Sequence, residues 1–189
     1  MNQDINDART SLNIISEMIG KARVNIASGA KYFLLWGWAA FACCIAQFIL
    51  QRYNIQNSYM VWMAMPLCAI ISIIMARNDE RKATVRTFIE DSMRMLWTGL
   101  GISFAILAVI FIKSGWEFSM PFYILIYSTG TFISGRLLRF SPLVIGGIIS
   151  YVICLASIWS NIEYHSLLGA VSLLASYIIP GHLLKKIKD

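Results

Sequence analysis

Residues 95–112 read MLWTGLGISFAILAVIFI, eighteen residues without Asp, Glu, Lys or Arg, closed by Arg94 on one side and Lys113 on the other. A helix rises about 1.5 Å per residue and a bilayer core is about 30 Å thick, so roughly 17–25 apolar residues cross it. Five further stretches share this character: 32–51, 53–76, 118–135, 140–162 and 164–184, which hold 20, 24, 18, 23 and 21 residues free of charge. The pattern predicts an all-α, polytopic membrane protein. Six transmembrane helices are expected at about 32–51, 56–76, 95–112, 119–138, 142–160 and 165–184, forming one transmembrane domain over 30–189. Hydrophobic residues make up 58% of the chain and charged residues 14%. Soluble domains hold about 45–50% and about 25%, so a soluble fold is excluded.

The basic residues orient these spans. Arg9, Lys21, Arg23 and Lys31 precede the first, and Arg77, Arg81, Lys82, Arg86 and Arg94 lie between the second and third. Arg136 and Arg139 follow the fourth, and Lys185, Lys186 and Lys188 follow the sixth. Only Arg52 and Lys113 fall on the opposite side, which leaves fourteen of the 16 on one side. Lys and Arg in short loops stay cytoplasmic, so both termini are expected in the cytoplasm. The same distribution accounts for the net charge of +6 without a nucleic-acid partner, because the cations are not gathered into one patch with aromatic platforms. Tyr53, Tyr59, Trp62, Trp116, Phe118, Trp159 and Tyr164 flank the outer loops, and Trp97 the inner end of span three, as interfacial belts do. Trp36 and Trp38 lie deeper and fit a helix–helix contact. No cleavable signal peptide is expected, so the first span serves as a signal anchor.

Residues 1–29 predict a separate cytoplasmic amphipathic helix. Ile5, Ala8, Leu12, Ile15, Ile19, Ala22 and Ile26 follow each other at intervals of three and four, which is one stripe of a helix, and Ile14 and Met18 widen it. Ser28-Gly29 breaks the pattern. Three uses compete: lying on the inner leaflet, docking on the protein's own cytoplasmic face, or pairing with a second copy or partner. Lipid-surface helices usually carry a Lys/Arg-rich face and aromatic anchors. Here Arg9, Lys21 and Arg23 are offset by Asp7 and Glu17, and no aromatic residue precedes Tyr32, which favours a protein contact. Residues 77–94 also read as helical, with Val85, Phe88, Ile89 and Met93 on one face, extending the third span. The chain then turns sharply at Arg136–Arg139 before Pro142, so spans four and five form an antiparallel hairpin. Pro180-Gly181 marks the end of the sixth span.

The helix over 5–26, the segments Phe33-Leu34-Leu35-Trp36-Gly37-Trp38 and Val61-Trp62-Met63, the hairpin Gly130–Gly147 and Ile178-Ile179-Pro180-Gly181 resemble a family of small six-pass inner-membrane proteins of Bacteroidetes bacteria. That family has no characterised activity. The resemblance implies a bacterial inner membrane and no site residues.

Chemistry is sparse. No Asp, Glu, Lys or Arg sits near the middle of a span, where such groups mark proton relays and ion paths. No Ser-His-Asp set, P-loop or zinc signature occurs, so no catalytic residue, cofactor or metal is expected. Glu117, Glu163 and His165 share the outer layer only loosely. Cys43, Cys44, Cys68 and Cys154 read as apolar filler within spans, and Gln47 as a partner for a neighbouring helix. The fourth span is the most polar: Tyr127, Ser128, Thr129, Gly130, Thr131, Ser134 and Gly135 lead into Arg136. One reading makes Tyr127, Thr131, Ser134 and Arg136 a cavity lining with Arg136 drawing an anion. The favoured reading is packing, since Thr131/Gly135 and Gly130/Ser134 are small residues four apart. The expected role is therefore a non-enzymatic partner-binding, accessory or regulatory membrane subunit, whose stripe Ile5, Leu12, Ile15, Ile19 and Ile26 pairs with a second copy, as a homo-oligomer, or with another membrane or cytoplasmic protein. The alternative is a small-molecule or lipid transporter with its path along the fourth span.

Overall fold

A computed structural model describes residues 29–82 and 87–186. The helix expected over 5–26 lies outside the described residues, as do Arg86 and Lys188. Among the described residues the chain is entirely helical. Helix α1 runs Ala30–Arg52, α2 runs Met65–Lys82 behind a 3-10 lead-in at Ser58–Ala64, and α3 runs Phe88–Ser114. Helices α4 and α5 run Ser119–Leu137 and Ser141–Ile158, and α6 spans Ile162–Lys185. Five of the six, all but α4, are long and apolar enough to cross a membrane.

The exception has a physical cause. Helix α4 has 19 residues, which is enough length, but its hydroxyls, glycines and Arg136 dilute its apolar character. It is also among the most enclosed: Met120, Pro121, Ile124, Tyr127, Ser128, Gly130, Thr131, Ser134 and Gly135 are all buried. A helix covered by other helices has less need of an apolar surface than one that faces lipid. Helices α1, α4, α5 and α6 build the core, with α4 against α5 as the most extensive contact. Helix α3 packs on α4, and α2 packs on α1. These two are peripheral: none of the apolar window of α2 and only 6% of that of α3 is buried, against 56% for α6.

Neighbouring helices run antiparallel. Lys31 at the start of α1 pairs with Asp79 at the end of α2 at 2.5 Å, and Tyr32 Oη donates to the same carboxylate at 2.7 Å. Arg94 near the start of α3 pairs with Glu80 at 2.6 Å. Gly181 near the end of α6 lies against Phe33 and Leu34 of α1. Lys31, Arg77, Arg81, Arg94, Lys185 and Lys186 make this end of the bundle its basic face; Arg52 and Lys113 end helices at the opposite face.

Several ends differ from the sequence expectation. Helix α3 starts seven residues before the charge-free run, because Thr87 and Glu90 form a reciprocal capping box. Of the segment 77–94 expected to extend the third span, only 88–94 joins α3; residues 77–82 close α2 instead, and 83–86 lie outside the described residues. Helix α6 does not stop at Pro180-Gly181 but continues to Lys185. Proline lacks an N–H and crowds the carbonyl four residues earlier. Here the preceding segment Leu174–Ile178 is a π turn, which loosens the ladder and lets the helix pass through.

Candidate functional site

The polar interior lies where α4, α5 and α6 meet, and small residues build it. A Cβ placed on Gly135 would come within 2.6 Å of the Val144 backbone nitrogen, and one on Gly147 within 2.9 Å of Phe132 Cα. A Cβ on Gly146 would collide with the Ala175 carbonyl, and one on Gly37 with Tyr177 Cβ at 2.8 Å. These approaches need glycine, and they bring backbones close enough for hydroxyls to reach across.

The buried hydroxyls are mostly engaged by carbonyls. Ser128 Oγ donates to the Ile124 carbonyl at 2.6 Å, and Thr131 Oγ1 to that of Tyr127 at 2.9 Å. The Ser172 carbonyl, at the turn before the π segment, accepts from Ser176 Oγ at 2.7 Å and from Ser150 Oγ of α5 at 3.2 Å. Tyr127 Oη donates to the Gly169 carbonyl at 3.4 Å, and Tyr151 Oη donates to Thr129 Oγ1 at 2.9 Å. Among the described residues, Ser134 Oγ, Ser172 Oγ and both ring nitrogens of His165 are buried without a hydrogen-bond partner.

An aromatic cluster closes the seam toward the basic face. Tyr177 stands 5.5 Å from Phe33, 6.1 Å from Trp97 and 5.8 Å from Tyr127, ring centre to ring centre. The π turn projects Tyr177 into this cluster, and Gly37 makes room for its Cβ. Trp97 therefore sits between helices rather than in an interfacial belt. Trp36 makes the helix–helix contact expected of it, donating to Ser72 Oγ at 2.9 Å, and Gln47 accepts from Trp62 Nε1 at 2.6 Å. Trp38 is half exposed, with its ring edge-on to Phe41 and to His182.

Of the residues singled out in the fourth span, Tyr127, Thr131 and Ser134 are brought together in this buried seam, whereas Arg136 is exposed at the turn beyond it. Ile5, Leu12, Ile15, Ile19 and Ile26 lie outside the described residues. His165 is buried beneath the ring of Phe118, and Glu117, Glu163 and His165 do not gather into a metal-binding group among the described residues. Compared with known protein families, curated proteins and solved structures, the chain matches none. Sequence reasoning missed Tyr177 and the π turn; Pro180 inside an apolar run was the available signal.

Proposed function

We propose that this chain is a bacterial inner-membrane protein of six spans with both termini cytoplasmic, and that it works without enzymatic chemistry as a partner-binding, accessory or regulatory subunit. Helix α4 is the sixth span, enclosed by its neighbours. The antiparallel order and the concentration of described Lys and Arg at one face support this orientation. Alkaline phosphatase fused after Tyr53 or Lys113 is expected to be active, and after Arg86 inactive. The reverse pattern removes the orientation.

The observation that carries the role is the contrast between seam and edge. The seam between α4, α5 and α6 is closed by glycines, and most of its hydroxyls bond to carbonyls, so its polarity serves packing. Helices α2 and α3, by comparison, contribute little to the fully buried core: none of the apolar window of α2 and 6% of that of α3 is buried. A scaffold of this kind presents surface rather than a reaction chamber. We assign the cytoplasmic contact to the stripe Ile5, Leu12, Ile15, Ile19 and Ile26. The double substitution Leu12→Asp and Ile19→Asp is expected to reduce the size of the detergent-solubilised complex. An unchanged size rejects the stripe as an assembly element.

A further inference from the structure

We propose that the α4–α5 turn is a binding site for a phosphate-bearing anion, either the headgroup of an anionic phospholipid or free phosphate. A cavity of about 360 Å³ lies at this turn, lined by Gly135, Arg136, Arg139, Phe140, Ser141 and Val144. Arg136 and Arg139 both line this opening, and among the described residues neither has a carboxylate within ion-pair distance. Two other cations of the basic face are ion-paired. Lys31 is matched by Asp79, and Arg94 by Glu80. Guanidiniums bind phosphate through paired, charge-assisted hydrogen bonds, and two at one opening can hold a phosphate from two sides.

The backbone carries the second argument. The Phe140 N–H donates to the Gly135 carbonyl at 2.9 Å, and the Arg139 N–H to the Arg136 carbonyl at 3.3 Å. This is the Schellman arrangement, whose left-handed residue is usually Gly and sometimes Asn. Helix α1 ends the same way with Asn54 at φ 52°, and α3 ends on Gly115 at φ 93°. At the α4 end the left-handed position is held by Arg139, at φ 51°. A residue with a Cβ and a long cationic side chain is a poor choice for backbone geometry alone. In that conformation Arg139 lines the same opening as Arg136. Ser141, which starts α5, lies on the same rim.

The turn also lies at the right level for a headgroup. It stands at the basic face, outside the buried seam, with Phe140 and Val144 supplying apolar rim for an acyl chain. The lipid source rests on the membrane placement proposed above; the phosphate chemistry does not.

The test uses the full chain in neutral detergent, with Arg136→Gln, Arg139→Gly and, at the opposite face, Arg52→Gln. Phosphatidylglycerol or phosphatidylcholine is added in mixed micelles, and retained lipid is counted by native mass spectrometry, with and without inorganic phosphate as competitor. Wild type and Arg52→Gln are expected to retain phosphatidylglycerol over phosphatidylcholine. Arg136→Gln and Arg139→Gly are each expected to bind the anion roughly tenfold more weakly, as loss of a charged hydrogen-bonding partner implies. Arg139→Gly also relieves the left-handed strain, so without ligand it is expected to melt roughly 2–4 °C higher. Loss of binding then cannot be laid to misfolding. Retention that phosphate does not displace assigns the site to a headgroup, and displacement assigns it to free phosphate. Equal retention in all four proteins, or an equal loss in Arg52→Gln, overturns the proposal.

Discussion

Gly147 in α5 and Gly99 in α3 occupy similar apolar helices, yet their surroundings are opposite. A Cβ on Gly147 would press on the backbone of Phe132, while one on Gly99 or Gly101 would meet nothing within 4 Å. The first glycine is a condition of the fold; the second is a weakness in a helix that has open space beside it. The same division holds for whole elements. Helices α4, α5 and α6 approach closely enough to share hydroxyl–carbonyl bonds, whereas α2 and α3 meet the core through side chains: Trp36 bonds Ser72 of α2, and Trp97 of α3 packs on Phe33 and Tyr177. At the basic face the ties are Lys31–Asp79 and Arg94–Glu80, and at the other the ring of Tyr59 stacks on Trp116 at 5.8 Å. Small residues therefore cannot be read uniformly in this chain. What matters is whether a second backbone lies opposite.

The largest effect that could break this comparison comes from making one substitution in both regions. Gly147→Ala is expected to destabilise by about 2 kcal/mol, because a methyl group must displace the Phe132 backbone in a packed interface. Gly99→Ala is expected to stabilise by about 0.5 kcal/mol through reduced backbone entropy, with no steric opposition. Thermal unfolding of the two variants in detergent measures both signs. If the two substitutions move the melting temperature in the same direction, the distinction between seam and edge is lost.

The apolar runs made the helices legible, because about twenty uncharged residues leave few alternatives. The Arg136–Arg139 turn made the α4–α5 hairpin legible, and the depth of Trp36 that it meets another helix, though not that its partner is Ser72. Other features depend on spatial neighbours that no local pattern reports. Trp97 carries the signature of a belt residue, but the approach of α1 and α6 converts it into a partner for Phe33 and Tyr177. The π turn at Leu174–Ile178 answers to Pro180, whose usual effect is to end a helix, so the residues alone favoured the commoner outcome. The polar string in α4 announced a special helix without saying whether the hydroxyls faced space or backbone. Only the facing glycines decide that. The left-handed Arg139 was hidden for a similar reason: as a basic residue beside a span it is fully explained by orientation, until its backbone is seen.

A smaller effect sharpens the comparison within the seam itself. Ser150 and Ser134 are both buried to 0% exposure, but among the described residues only Ser150 has a partner, the Ser172 carbonyl at 3.2 Å. Ser150→Ala removes a cross-helix bond, and such bonds are worth about 0.6 kcal/mol between membrane helices. Ser134→Ala removes a hydroxyl that already lacks a partner, and a buried donor left unpaired is unfavourable. It is expected to be neutral or to stabilise by about 0.5 kcal/mol, read as a rise in melting temperature. Opposite signs from two serines in one seam would show that the polarity there stabilises only where a carbonyl receives it. A large loss from Ser134→Ala would mean instead that its hydroxyl serves something beyond packing, and the path along α4 would then become the better reading of this helix.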